Sequence, residues 1–235
     1  DITEKKRNQA ALLQAEKLAV AGRLTASLAH EISNPLQAVI GCVGLAQEAL
    51  AEGRDAERLL QVAIEDLRRV ARVVADLRNL HQIPAIEPKK PTDVNALLEK
   101  VLMLSRKKCE EHGVDVVWRP ATGLSSPPLV SDRIQQVFLN LVLNAIDAMP
   151  NGGDLAVSAL YESASHTVVI SFTDNGEGIP PDDVPRVFDP FFSTKADGTG
   201  LGLFVSQSIA REHGGSIEVE SEEGEGCTFT IRLPA

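Results

Sequence analysis

The apolar residues of this chain keep one rhythm up to residue 81 and another after residue 91, and the stretch between carries Pro84, Pro88 and Pro91. A chain patterned this way cannot fold as one uniform layer. Proline removes a backbone donor and fixes φ, so three in close succession end any helix that reaches them. The pattern predicts a helical unit over residues 1–83, a linker over 84–91 and a second unit over 92–235. With 235 residues there is room for two such units and a substantial buried core.

In the first unit, the Ala/Leu/Glu/Lys/Gln-rich stretch from Glu4 to Ala51 predicts one long helix, bent near Pro35. Ala11, Leu18, Ala21, Thr25, Leu28 and Ile32 step forward along it at coiled-coil spacing, with Gln14 filling one seam position. After the polar break Glu52-Gly53-Arg54-Asp55, a second helix places Leu60, Ala63, Leu67, Val70, Val74 and Leu77 at alternating steps of three and four. That is a heptad seam. Two antiparallel helices leave an apolar stripe that a hairpin alone covers poorly, so the expectation is a homodimer that pairs two hairpins into a four-helix bundle.

Beyond the linker the periods alternate. Helices are expected from Asn95 to about His112, over Asp132–Met149 and from about Leu201 to His213. Strands are expected at Val114–Arg119, Leu155–Tyr161, Val168–Thr173, Ser216–Glu220 and Thr228–Leu233. The fold class that follows is α+β multidomain: a helical hairpin, then an α/β sandwich with a mixed sheet packed on helices.

Charge and cysteines narrow the function. A net charge of −10 and a pI near 5.0 argue against sequence-independent nucleic-acid binding, which needs basic surface, yet leave room for one nucleotide pocket. Cys42, Cys109 and Cys227 lie far apart, fit neither a zinc site nor a disulfide framework, and point to a reduced, cytoplasmic setting. No apolar run approaches the roughly 18 residues of a membrane span, and the N-terminus lacks a signal-peptide layout. The chain starts at Asp1 without a methionine, so the expectation is a fragment of something longer.

The chemistry is concentrated in four places. His30, in Ser27-Leu28-Ala29-His30-Glu31-Ile32-Ser33-Asn34-Pro35-Leu36, lies two residues from each of the seam positions Leu28 and Ile32, so its imidazole points off the seam as a candidate acceptor of a chemical group. Asn140 and Asn144 share one helix face, where two carboxamide oxygens can meet a hard cation or a phosphate-bound water. Asp174-Asn175-Gly176-Glu177-Gly178 follows a predicted strand, where the carboxylate can accept from an exocyclic amine and the glycines allow close approach. Gly198-Thr199-Gly200-Leu201-Gly202 opens a helix whose first amides attract phosphate, and in Val187-Phe188-Asp189-Pro190-Phe191-Phe192-Ser193-Thr194-Lys195 before it Lys195 can reach one.

Taken together these residues resemble the catalytic core of two-component sensor histidine kinases. The asparagine pair, the Asp-x-Gly-x-Gly turn, the phenylalanine-rich segment and the Gly-Thr-Gly-Leu-Gly-Leu loop are similar to the family's ATP-binding domain. The run His30-Glu31-x-x-Asn34-Pro35-Leu36 resembles its dimerisation and phosphoacceptor helix. The resemblance implies Mg²⁺ and ATP as cofactors, with Asn144 on the metal, Asn140 near phosphate and Asp174 on the adenine amine. Gly176 and Gly178 would shape the base pocket, Gly198, Thr199, Gly200, Leu201 and Gly202 the phosphate loop, and Thr228 would assist near the base. It further implies autophosphorylation of His30 with Glu31 orienting the ring proton, transfer to the receiver domain of a response regulator, and phosphatase action through Asn34. Asp1-Ile2-Thr3 is similar to the tripeptide that closes a PAS sensor domain, so an upstream sensor is expected as a further partner, with no nucleic acid. Many relatives carry a lysine where this chain has Asp147, which leaves Lys195 and Arg211 as candidate cations for the γ-phosphate. A dimeric ATP-binding scaffold and a phosphatase-dominant regulator are the alternatives. A water-activating ATPase is disfavoured, because Asn140 stands where those enzymes use a glutamate base and a carboxamide cannot serve as one.

Overall fold

The computed structural model describes residues 32–81, 88–195 and 198–235. The chain forms two compact units, Asp1–Ile83 and Pro84–Ala235.

In the first unit, helix α1 covers residues 32–51 of the described chain and helix α2 runs Glu57–His81. Pro35 lies within α1 and is buried; the part of the predicted long helix before residue 32 is outside the described residues. The connection is closed by the Arg54 N–H donating to the Ala49 carbonyl at 2.7 Å and the Glu57 N–H donating to Asp55 Oδ1 at 2.9 Å. Small side chains make the buried cluster at this end: Ala46, Ala49 and Ala56, with Leu59 packed against them. Of the predicted α2 seam, Ala63 is buried at 3% exposure, while Leu60, Leu67 and Val74 keep 42%, 48% and 50% of their surface in solvent. Leu36, Ile40, Val43 and Leu50 of α1 are likewise exposed. Among the described residues of the first unit, Val73 and several alanines are buried, while Leu36, Ile40, Leu60 and Leu67 face outward.

The second unit is a five-stranded sheet with helices on one face. In chain order its elements are β1 (Lys90–Pro91), α3 (Val94–His112), β2 (Val114–Arg119), β3 (Pro128–Leu129), α4 (Ser131–Asp147), β4 (Gly153–Glu162), β5 (Thr167–Asp174), α5 (Gly202–Glu212), β6 (Ser216–Glu222) and β7 (Gly226–Pro234), with a 3-10 turn at Val184–Arg186. The sheet order is β2-β4-β5-β7-β6; β2 runs parallel to β4 and every other pairing is antiparallel. Alternation along the strands sorts the faces. Leu155, Val157, Ile170, Phe172, Phe229 and Ile231 are buried with Ile134, Phe138, Leu141 and Ile146 of α4, and the Phe138 and Phe172 rings lie 5.8 Å apart. Hydroxyls line the opposite face, where Ser171 and Thr230 meet at 3.4 Å and Thr173 and Thr228 at 3.0 Å.

Local chemistry sets the boundaries. The Asp93 carboxylate accepts the Ala96 N–H at 3.1 Å to start α3, and Gly113, at φ 66°, ends it in the left-handed region. Lys90 and Pro91, read from sequence as linker, pair antiparallel with Leu129 and Pro128. Two residues are too few to show a strand period, which is why this ladder is invisible in the sequence.

Candidate functional site

Helix α4 is the middle of the three helices, and it carries Asn140, Asn144 and Asp147 at steps of four and three along the side turned away from its core residues. Asn140 Nδ2 donates to Ser206 Oγ of α5 at 3.1 Å. At Gly202, the first residue of α5, a Cβ would collide with the Asn140 carboxamide oxygen, so glycine leaves that carboxamide its place against α5. Leu201 at the N-cap provides no side-chain bond to the first turn, and a turn of that kind attracts anions. The glycine loop is fixed from outside: the Phe191 N–H donates to the Gly200 carbonyl at 2.9 Å, and Gly200 sits at φ 64° against the Phe191 backbone. Thr199 Oγ1 accepts the Leu201 N–H at 3.4 Å, and the Gly198 N–H donates to the Lys195 carbonyl at 3.2 Å.

Asp174 closes β5 and is 5% exposed. Its Oδ1 accepts the Gly176 N–H at 3.0 Å, and the next amide, Glu177 N–H, donates to the Ala148 carbonyl just past α4 at 3.1 Å. A Cβ at Gly176 would strike that carbonyl, so the turn stacks on the end of α4 only because the residue is glycine. A Cβ at Gly178, which sits at φ 67°, would likewise strike the Glu222 carbonyl. Burial pushes the Asp174 carboxyl above its ordinary range; the N–H groups of Gly176 and Cys227 and the charge of Lys195 oppose this in part.

Thr228 and Asp174 line one cleft at this end of the sheet from neighbouring register positions. In the β5–β7 register Asp174 pairs with Cys227, and Thr228, one residue on, turns to the opposite face to bond Thr173. Cys227 is the residue beside Asp174, its thiol pushed up to about 12 by burial and by the Asp174 charge. Sequence reasoning missed it; strand alternation counted from the correct register is the signal that finds it.

The phenylalanine-rich segment packs partly inward, with Phe188 edge-on to Phe229 at 6.5 Å and the Arg186 guanidinium 4.6 Å over the Phe192 ring. Lys195 Nζ lies 3.2 Å from Asp147 Oδ2, and Lys108 Nζ of α3 lies 2.7 Å from Oδ1. Arg211, the other candidate cation, is in the last turn of α5, roughly 13 Å along the helix from its glycine end, and the fold does not bring it to the site. Asn34 is exposed on α1 in the first unit, and His30 and Glu31 lie outside the described residues. Among the described residues no group of three His, Cys, Asp or Glu side chains could hold a metal, and no helix is long and apolar enough to cross a membrane.

Comparison with known proteins bears on both units. Residues 21–86 match the family described as His Kinase A (phospho-acceptor) domain, and residues 129–235 match Histidine kinase-, DNA gyrase B-, and HSP90-like ATPase. The sensor histidine kinase ZraS of Salmonella typhimurium is 39% identical over 224 residues, which are 95% of this chain and 48% of that protein. The chain thus spans about half the length of that curated relative. Among solved structures, the catalytic domain of histidine kinase ThkA is 32% identical with a TM-score of 0.54, covering 61% of this chain and 95% of that one. ThkA in complex with the response regulator TrrA gives a TM-score of 0.82 at 26% identity over 100% of this chain and 67% of that one. Full-length ShkA in complex with AMPPNP gives 0.64 at 26% identity, covering 89% and 45%.

Proposed function

The chain belongs to the sensor histidine kinases of two-component systems, and on that premise we propose that its second unit binds Mg-ATP and delivers the terminal phosphoryl group to His30. The observation that carries the proposal is the convergence, inside one compact unit, of the α4 asparagines, the Asp174 turn stacked on the end of α4, and the glycine-led start of α5. Residues 1–83 are the dimerising phosphoacceptor hairpin and residues 84–235 the ATP-binding unit, which takes in Lys90 and Pro91 of the stretch read from sequence as linker.

Each part has a task. Asp174 accepts from the adenine amine, while Gly176 and Gly178 let the base lie close to the backbone. The amides of Gly198 to Gly202 hold phosphate oxygens with Thr199, and Asn140 positions the loop through Ser206 and Gly202. Mg²⁺ would be held on the protein side by the carboxamide oxygen of Asn144, a hard ligand suited to a hard cation, and would supply charge neutralisation at the phosphates. The neutral imidazole of His30 attacks the γ-phosphorus, a nitrogen–phosphorus bond forms as the bond to the bridging oxygen breaks, and ADP leaves. Glu31 orients the ring proton. The phosphoryl group then passes to an aspartate of a response regulator, the kind of partner bound to ThkA in its complex, and Asn34 directs water onto that phosphoaspartate in the reverse signal. The outward leucines of the hairpin fit a second copy as a homodimer, and the free cysteines suit a cytoplasmic setting.

Incubation with γ-labelled ATP and Mg²⁺ tests this. Acid-labile, base-stable label on the chain is expected, absent from His30→Ala and lost from Asn144→Ala together with Mg-ATP affinity. Label that persists in His30→Ala would sink the acceptor assignment.

A further inference from the structure

The Asp147 carboxylate lies between two ammonium groups from different parts of the second unit, Lys108 of α3 and Lys195 of the segment before the glycine loop. All three side chains keep between 37% and 39% of their surface exposed. A cluster of that kind is dry enough for its charges to feel one another and wet enough to change partners. Partial burial works against ionisation of Asp147, but the Lys108 hydrogen bond and the Lys195 and Lys108 charges outweigh it and hold the carboxyl below its ordinary range. Within the trio itself two ammonium groups face one carboxylate, so one positive charge is left for other anions in reach.

Its position gives that charge a use. Asp147 follows Asn144 by three residues on α4, and the Lys195 charge also reaches Asp174. One lysine is thus within electrostatic range of carboxylates on two sides of the region where the α4 asparagines, the Asp174 turn and the start of α5 converge. A carboxylate one turn from Asn144 would by itself repel a triphosphate. Lys108 offsets that repulsion, and Lys195, a point charge on a flexible stem, can leave one anion for another without moving its backbone.

Taking the site to be an ATP site, we infer that Asp147 is a positioning residue that competes with the terminal phosphate of ATP for Lys195, while Lys108 keeps Asp147 balanced when Lys195 crosses over. Without nucleotide, Lys195 rests on Asp147 at the rim of the site. When ATP arrives, Lys195 exchanges the carboxylate for phosphate oxygens of higher charge, and Lys108 alone holds Asp147. ADP lacks the terminal phosphate and leaves Lys195 where it was. The trio therefore contributes to the preference for ATP over ADP, with Lys108 acting only through Asp147.

Equilibrium binding of ATP and ADP, each with Mg²⁺, to the whole chain tests the exchange, and an unfolding midpoint for each variant reports its folding. Asp147→Asn is expected to tighten ATP binding by about three- to fivefold, the range that an ion pair of this exposure allows, and to move ADP binding by less than twofold. The gain disappears when Asp147→Asn is combined with Lys195→Met, which by itself weakens ATP binding. Lys108→Met weakens ATP binding as well, and that loss vanishes in the Asp147→Asn background. An equal gain from Asp147→Asn with and without Lys195, or equal shifts for ATP and ADP, overturns the exchange while leaving the ATP site intact. A wild-type chain that binds neither nucleotide overturns the ATP reading itself and the exchange with it.

Discussion

His213 is buried with both ring nitrogens engaged: Nδ1 lies 2.8 Å from the Ile209 carbonyl and Nε2 accepts the Val130 N–H at 3.0 Å. Because Nε2 must accept, the ring proton sits on Nδ1 and the imidazole is neutral. Burial pushes its pKa below the ordinary 6.5, aided by the charges of Lys89 and Arg133 and opposed by the Ile209 bond and Glu212. The unfolded chain therefore binds a proton at a higher pH than the folded one. Stability from this residue is present above 6.5 and is lost as pH falls below it. Thermal unfolding between roughly pH 7 and pH 5 should show a decline in Tm that is shallower in His213→Gln; equal slopes would contradict the assignment. Residues differ in how openly they announce such roles. Asp174 is legible because a carboxylate followed by glycines at a strand end is a local pattern. His213 and Cys227 are not, since their partners lie across the fold, and the sequence reading assigned chemistry to neither.

Elements were more legible than single side chains. Alternation over several residues marks β2, β4, β5, β6 and β7, and the observed strands exceed the expected spans by no more than two residues at either end. The short β1–β3 ladder had no period to show. The α2 heptad was visible as a seam, but only packing decides which of its members meet the neighbouring helix. Of the seam, Ala63 is buried and Leu60, Leu67 and Val74 face outward, while Val73, outside the seam pattern, is buried. Boundaries rest on single bonds of modest strength. Asp93→Ala removes the cap at the start of α3 and should cost about 1 kcal/mol of stability in urea unfolding, with the folded far-UV spectrum unchanged. A variant as stable as wild type would show that the cap is not holding the helix.

At the scale of the molecule, the residues proposed for the nucleotide site all belong to the unit Pro84–Ala235, and the proposed acceptor His30 belongs to Asp1–Ile83. If the exposed leucines of α2 mediate pairing of two copies, then Leu60→Glu with Leu67→Glu should halve the mass seen by light scattering and abolish labelling between subunits in mixed chains, with ATP affinity within about twofold of wild type, because charge at a seam disfavours pairing and the binding unit does not depend on it. A double variant that stays dimeric would place the interface elsewhere. The division into units, the kinds of element and the glycines that permit close approach are all written in the chain, because period, proline and φ preference act over a few residues. What the sequence could not decide is which charges meet. Lys108 and Lys195 lie 39 and 48 residues from Asp147, and all three come together because burial of the apolar faces of α3, α4 and the sheet sets how closely those elements approach. Sequence reading placed Lys195 beside a phosphate. Only the packed structure gives it Asp147 as a partner and Lys108 as the counter-charge, since contacts across elements follow from the packing of the core and not from local propensity.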